Sequence, residues 1–148
     1  LIVNQAKELE SRTLESFFIE KDGRSIAACR SIPECDYIII ICHGFRGAKE
    51  NSGKLVPFAK RLNNIGYGVL AFDFSGSGAS DGDFKDITLS GQAEDLRCVI
   101  NYVSSRYNQP IYLLGRSFGG TTVLAAGAGD TRVAGYILWS APVLLEKT

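Results

Sequence analysis

Apolar positions along this chain fall into two patterns that alternate. The first is the short unbroken run: Tyr37–Cys42, with four successive isoleucines, then Gly68–Phe72, Ile111–Leu114 and Ala134–Trp139. None of these runs alternates apolar with polar, so each predicts a strand covered on both faces, as in a parallel sheet flanked by helices. The second pattern has helical spacing. Ser52–Ile65 carries Leu55, Phe58, Ala59 and Leu62, with Asn64, Gly66 and Gly68 marking its exit. Thr88–Tyr107 carries Leu89, Ala93, Leu96, Val99, Ile100 and Val103, with Thr88 as a cap and Pro110 just past its end. Ser117–Ala128 is small and apolar, which suits a buried helix. Ahead of all these lie two segments rich in β-formers, Thr13–Glu20 and Arg24–Ser31, joined by Lys21-Asp22-Gly23. Asp-Gly between such segments predicts an antiparallel hairpin with a tight turn. Leu1–Arg12 has weak signals and reads as a leading arm.

The order is a hairpin, then strand and helix three times, then one more strand. That alternation predicts an α/β fold: a mostly parallel sheet with right-handed crossovers and helices on both faces. Residues 1–148 read as one domain, with an arm at 1–12, the hairpin at 13–31 and the alternating part at 36–142. The chain stops at Thr148, soon after an apolar strand. An uncovered apolar edge is avoided in nature, so further C-terminal strands or self-association through that edge are expected. The sequence contains no methionine, even at its first position. These residues are therefore expected to be less than a primary translation product.

Composition narrows the function. Sixteen basic and sixteen acidic residues cancel, so no net field favours nucleic acid, an anionic membrane or a polyanionic substrate. No run of eighteen apolar residues predicts a membrane span, and no secretory signal opens the chain. The four cysteines, Cys29, Cys35, Cys42 and Cys98, form no Cys-x-x-Cys pair, and His43 is the only histidine. Packed, reduced thiols in a cytoplasmic protein are expected, with no metal site and no cofactor.

The chemistry centres on Gly115-Arg116-Ser117-Phe118-Gly119, a G-x-S-x-G pattern with a strand before it and a helix after it. A nucleophile elbow requires that context. A sharp turn strains the serine backbone and lifts its Oγ above the sheet. The glycines admit neighbouring backbone, and the helix N-terminus favours developing negative charge. A second element, His43-Gly44-Phe45-Arg46-Gly47, follows the first central strand. An acyl-transfer oxyanion needs two backbone N–H donors. Phe118 and Phe45 are the candidates, one after the nucleophile and one in this loop. His43 stands where it orders the loop by hydrogen bonds rather than where it acts as base, and Gly44 lets the loop fold tightly. Arg46 and Arg116 flank the two donors. They are either solvated or in contact with a carboxylate or other polar group of a substrate. Asp73–Gly82 is a glycine-rich stretch after the second central strand, expected to be a flexible loop. Asp81 replaces the last glycine of a dinucleotide fingerprint, and no Gly-Lys-Ser/Thr follows, so nucleotide binding is excluded. Asp81, Asp83 and Asp86 read as solvated loop charges.

With His43-Gly44-Phe45, the Asp73–Gly82 loop and Gly115–Gly120 in this order, the sequence resembles the α/β-hydrolase superfamily over residues 13–142. The likeness is to the bacterial esterase and serine-aminopeptidase-like branch, which includes the cinnamoyl esterases. The resemblance implies hydrolysis of a small carboxylic ester through an acyl-enzyme on Ser117. Thioester, amide and peptide substrates share that route and stay open. The family's triad continues from serine to an acid and then a histidine, yet no histidine follows Ser117. Neither Asp130 nor Glu146 stands where the family places its acid. The base and the acid are therefore expected in a missing C-terminal portion, leaving these residues alone largely inactive. The rival reading is a non-catalytic hydrolase-like binding or assembly module.

Overall fold

The computed structural model describes residues 14–142, so the expected arm at 1–12 and Glu146 lie outside the described residues. Six strands form one sheet: β1 Glu15–Lys21, β2 Arg24–Ser31, β3 Tyr37–Cys42, β4 Tyr67–Phe72, β5 Ile111–Arg116 and β6 Val133–Trp139. Three helices separate the later strands: α1 Leu55–Asn64, α2 Leu89–Arg106 and α3 Phe118–Gly127. The isoleucine run becomes β3, where Ile38, Ile39, Ile40 and Cys42 are buried. A strand in the middle of a helix-covered sheet has no polar face, which is why its sequence does not alternate.

The strand order is β1-β2-β4-β3-β5-β6. β1 and β2 pair antiparallel through the Asp22–Gly23 turn, both residues at positive φ, and β2 runs antiparallel to β4. β4, β3, β5 and β6 are parallel. The chain steps one way from β3 to β4, then returns across β3 to β5 and on to β6. Right-handed crossovers in opposite directions place their helices on opposite faces. Accordingly α1 packs with Ile39, Val69, Ala71 and Leu114. On the other face α2 and α3 enclose Ile38, Ile40, Leu70, Phe72 and Leu113. The loops leaving β3 and β5 diverge to those two faces. A crevice therefore opens between the C-terminal ends of these adjacent strands, the usual place for a ligand in such a sheet.

Three local expectations need correction. The first helix does not begin at Ser52. Asn51, Ser52 and Gly53 have φ of 48°, 55° and 81°, so a right-handed helix cannot start until Leu55. The Asp73–Gly82 loop is not flexible but stitched down. Its Ser80 hydroxyl donates to the Asp73 carbonyl at 2.5 Å and accepts the Ala27 N–H at 2.8 Å. Asp81 is more than a solvated charge, because its carboxylate accepts the Ser25 N–H at 2.8 Å. Ser75 donates through its N–H (2.8 Å) and its hydroxyl (3.0 Å) to Asp95, a buried carboxylate of α2 that also pairs with Lys21 at 2.7 Å. Asp83 and Asp86 are exposed, as expected.

Among the described residues no helix is long and apolar enough to cross a membrane. Strand β6 leaves Tyr136, Ile137, Leu138 and Trp139 exposed.

The tightest packing in the sheet layer is testable. A Cβ on Gly119 would overlap the carbonyl oxygens of His43 and Cys42, whereas one on Gly23 meets nothing within 4 Å. Gly23 carries only the left-handed φ of 77°. Gly119→Ala is expected to cost roughly 3 kcal/mol in urea unfolding, against about 1 kcal/mol for Gly23→Ala. Equal losses would contradict the close approach.

Candidate active site

One residue makes the turn between β5 and α3. Ser117 has φ 51° and ψ −125°, a conformation that costs an L-residue on the order of 1–3 kcal/mol. Its neighbours hold it there. The Ser117 N–H donates to the Trp139 carbonyl at 2.9 Å, tying the turn to the end of β6. The Ser117 carbonyl accepts the Gly120 N–H at 2.8 Å as the first turn of α3. Phe118 is the first helical residue, so its N–H has no partner within the helix. No acidic residue occupies that first turn. Glycines bring the pieces into contact. A Cβ on Gly115 would stand 2.5 Å from the Gly119 carbonyl, and one on Gly44 would stand 3.2 Å from both the Arg116 carbonyl and the Ser117 Cβ.

The loop after β3 therefore lies directly on the turn after β5. It folds back through a bond from the Gly47 N–H to the Gly44 carbonyl at 2.9 Å, with Arg46 at φ 60°. The Phe45 ring packs edge-on against Phe118 with centroids 6.3 Å apart, and against Phe84 at 5.3 Å.

His43 is buried at the root of this loop. The Phe74 N–H donates to Nε2 at 3.1 Å, which places the ring proton on Nδ1, where it is donated to the Gly44 carbonyl at 2.8 Å. Both nitrogens are thus occupied, and neither is available to take a proton from Ser117. Burial holds the ring's pKa below the usual histidine range, against the opposing pull of the Gly44 carbonyl and the Asp73 carboxylate.

Lys49 and Asp73 were not singled out from sequence, yet they fix the far end of the loop. The fully buried Asp73 carboxylate accepts the Lys49 N–H at 2.7 Å, the Lys49 ammonium at 2.8 Å and the Ala79 N–H at 3.0 Å. Gly78 covers it so closely that a Cβ there would overlap the carboxylate. Burial works against the Lys49 charge, but hydrogen bonds to Asp73 and Glu50 outweigh it and raise the ammonium's pKa. The only sequence signal for this pair was an acid standing at the exit of a buried apolar strand.

A cavity of about 630 Å³ opens beside Ser117, lined by the loop after β3, by Asn51, Ser52, Lys54 and Leu55, and by apolar side chains that include Phe58 and Trp139. Arg46 and Arg116 both line it and are both exposed. The Arg116 guanidinium donates to the Asn51 side-chain carbonyl at 3.0 Å. Cysteine offers no rival nucleophile: burial raises the pKa of all four thiols, Cys29 to about 11. Among the described residues no group of three His, Cys, Asp or Glu side chains could hold a metal.

This arrangement matches a known family. Residues 33–148 fit the Hydrolase_4 family model, serine aminopeptidase S33. The chain belongs to that family of α/β hydrolases. Over 120 residues it is 37% identical to the Escherichia coli "Uncharacterized 31.7 kDa protein in traX-finO intergenic region", covering 76% of this chain and 41% of that protein. It is 33% identical to the monoglyceride lipase of Rattus norvegicus over 113 residues, 74% of this chain and 36% of the lipase. Est1E from Butyrivibrio proteoclasticus, solved with ferulic acid bound, superposes with a TM-score of 0.74 at 31% identity, over 81% of this chain and 50% of Est1E. The chain thus spans about two-fifths of these curated relatives and half of that structure.

The His43 environment sets a pH dependence. The folded ring has a pKa below the unfolded value of about 6.5, so the unfolded chain binds more protons as pH falls through that value. Stability is therefore expected to be full well above about pH 6.5 and to decline as pH falls below that value toward the folded ring's lower pKa. Urea unfolding at pH 7.5 and 5.5 measures this. A stability that rises on acidification would contradict a neutral, doubly bonded His43.

Proposed function

We propose that this protein is a serine hydrolase that cleaves carboxylic esters through an acyl-enzyme on Ser117. The observation that carries the reading is the strained Ser117 turn between a strand and a bare helix N-terminus, with the His43–Gly47 loop pressed against it. Ser117 Oγ attacks the ester carbonyl while its proton passes to a general base. The Phe45 and Phe118 N–H groups hold the oxyanion of the tetrahedral adduct, which collapses to release the alcohol. Water then attacks the acyl-enzyme and frees the acid. His43 and Gly44 shape the donor loop, and Gly115 and Gly119 let the turn close.

The only histidine is committed to Phe74 and Gly44. The base and the acid that orients it are therefore assigned to sequence outside these 148 residues. Membership in a family with lipase and esterase relatives favours esters over thioesters, amides or peptides. Zero net charge and the small cavity favour a small-molecule substrate over nucleic acid or a membrane surface. The sequestered histidine is also the one feature that favours a second reading, a non-catalytic hydrolase-like binding module.

Fluorophosphonate labelling of the native gene product, read by intact mass, separates the two. One adduct is expected, absent in Ser117→Ala. That variant should lose ester turnover by about 10⁴-fold or more, and residues 1–148 alone should turn over little ester. A native protein that takes no adduct would leave the binding-module reading in its place.

A further inference from the structure

The cavity beside Ser117 is lined by Arg46, Lys49, Lys54 and Arg116, and among the described residues by no aspartate or glutamate. These cations differ in how they are compensated. Lys49 is neutralised by Asp73 at 2.8 Å and Glu50 at 2.7 Å. Arg116 is held by Asn51 at 3.0 Å, a neutral amide that fixes the guanidinium without cancelling its charge. Among the described residues Arg46, Lys54 and Arg116 form no ion pair. A guanidinium has five N–H donors, so Arg116 keeps most of its own for a ligand.

Two helices start at or next to residues that line this cavity, Leu55 and Ser117. The ten-residue helices α1 and α3 begin at Leu55 and Phe118, and neither has an acidic residue in its first turn. Helix N-termini carry partial positive charge, which first-turn carboxylates commonly offset. Here neither first turn supplies one. Arg46 is also held at φ 60°, a conformation disfavoured for a non-glycine residue. The chain as a whole is neutral, so this excess is local. Ile41, Leu55, Phe58, Leu114 and Trp139 add apolar wall.

A neutral ester offers these exposed cations no charge partner. A substrate carrying one anionic group would satisfy them. We propose that this site is selective for esters that bear a carboxylate on an apolar spacer, held by Arg46, Lys54 and Arg116 while the ester carbonyl lies at Ser117. The inference rests on the serine-hydrolase reading and specifies its substrate class. Two guanidiniums suit a carboxylate because each can donate two parallel N–H bonds to it.

The test uses the native gene product and two chromogenic esters of one length: 4-nitrophenyl hydrogen glutarate and its methyl ester. At low salt kcat/KM should favour the anionic ester on the order of tenfold, the size of a charge-assisted hydrogen bond. The preference should shrink as ionic strength rises. Arg46→Gln and Arg116→Gln should each lower it, chiefly through KM for the anionic ester. Lys60→Gln, an exposed charge of α1 outside the cavity lining, should leave the ratio where it was. Equal rates on the two esters would overturn the proposal while the hydrolase reading stands. So would a preference indifferent to both arginine variants. Failure to cleave either ester, with no fluorophosphonate adduct on Ser117, would remove the reading and the proposal together.

Discussion

Strands β3 and β5 lie parallel and adjacent, with Cys42 opposite Gly115, and their chains leave the sheet toward opposite faces. The geometry of the site follows from that register. Had β4 stood between them, the His43–Gly47 loop would be a strand spacing farther from Ser117, about 4.8 Å. Instead Gly119 sits against the carbonyls of Cys42 and His43, and Gly44 against the Ser117 side chain. Neither contact tolerates a Cβ without movement, so loop and turn are mutually located by hard packing rather than by a flexible bond. The strained φ of Ser117 persists because its surroundings over-determine it: a hydrogen bond to β6 on one side and the start of α3 on the other.

Below this contact lies a buried polar layer that holds the loop at both ends. His43 bonds across to the Phe74 N–H, and Lys49 bonds twice to Asp73, so both anchors reach the segment that follows β4. Removing one partner of such a buried pair strands the other in low dielectric, typically at a cost of about 3–5 kcal/mol. The loop after β4 is in turn sewn to β2 and α2 through Ser80, Asp81 and Asp95. Glycine-rich sequence here gives compact backbone around buried hydrogen bonds rather than mobility. The same reasoning explains why a lone histidine beside a serine turn is not its base.

The architecture was legible because the central strands are unbroken apolar runs, two helices carry an apolar stripe, and the third is small and apolar throughout. The hairpin was legible from Asp22-Gly23, whose φ values the turn requires. The Ser52 boundary was not, because three successive left-handed residues leave no mark in hydrophobic spacing. Nor was the order of the loop after β4, since serine and aspartate in a glycine-rich stretch read alike whether they face solvent or bond to backbone. The motifs carrying Phe45 and Ser117 were visible in sequence. The Lys49–Asp73 pair that steadies one of them depends on a contact between residues 24 positions apart, which no local pattern encodes. The cationic lining of the cavity is likewise invisible to a net charge of zero.

We propose that two backbone amides, brought together by the β3–β5 register, converge on an oxygen attached to a reacting centre at Ser117. A crystal structure of the native gene product phosphonylated at Ser117 tests it directly. The phosphonyl oxygen is expected within about 2.7–3.1 Å of both the Phe45 and Phe118 nitrogens. An adduct whose oxygen turns to solvent, or bonds to neither amide, would contradict it.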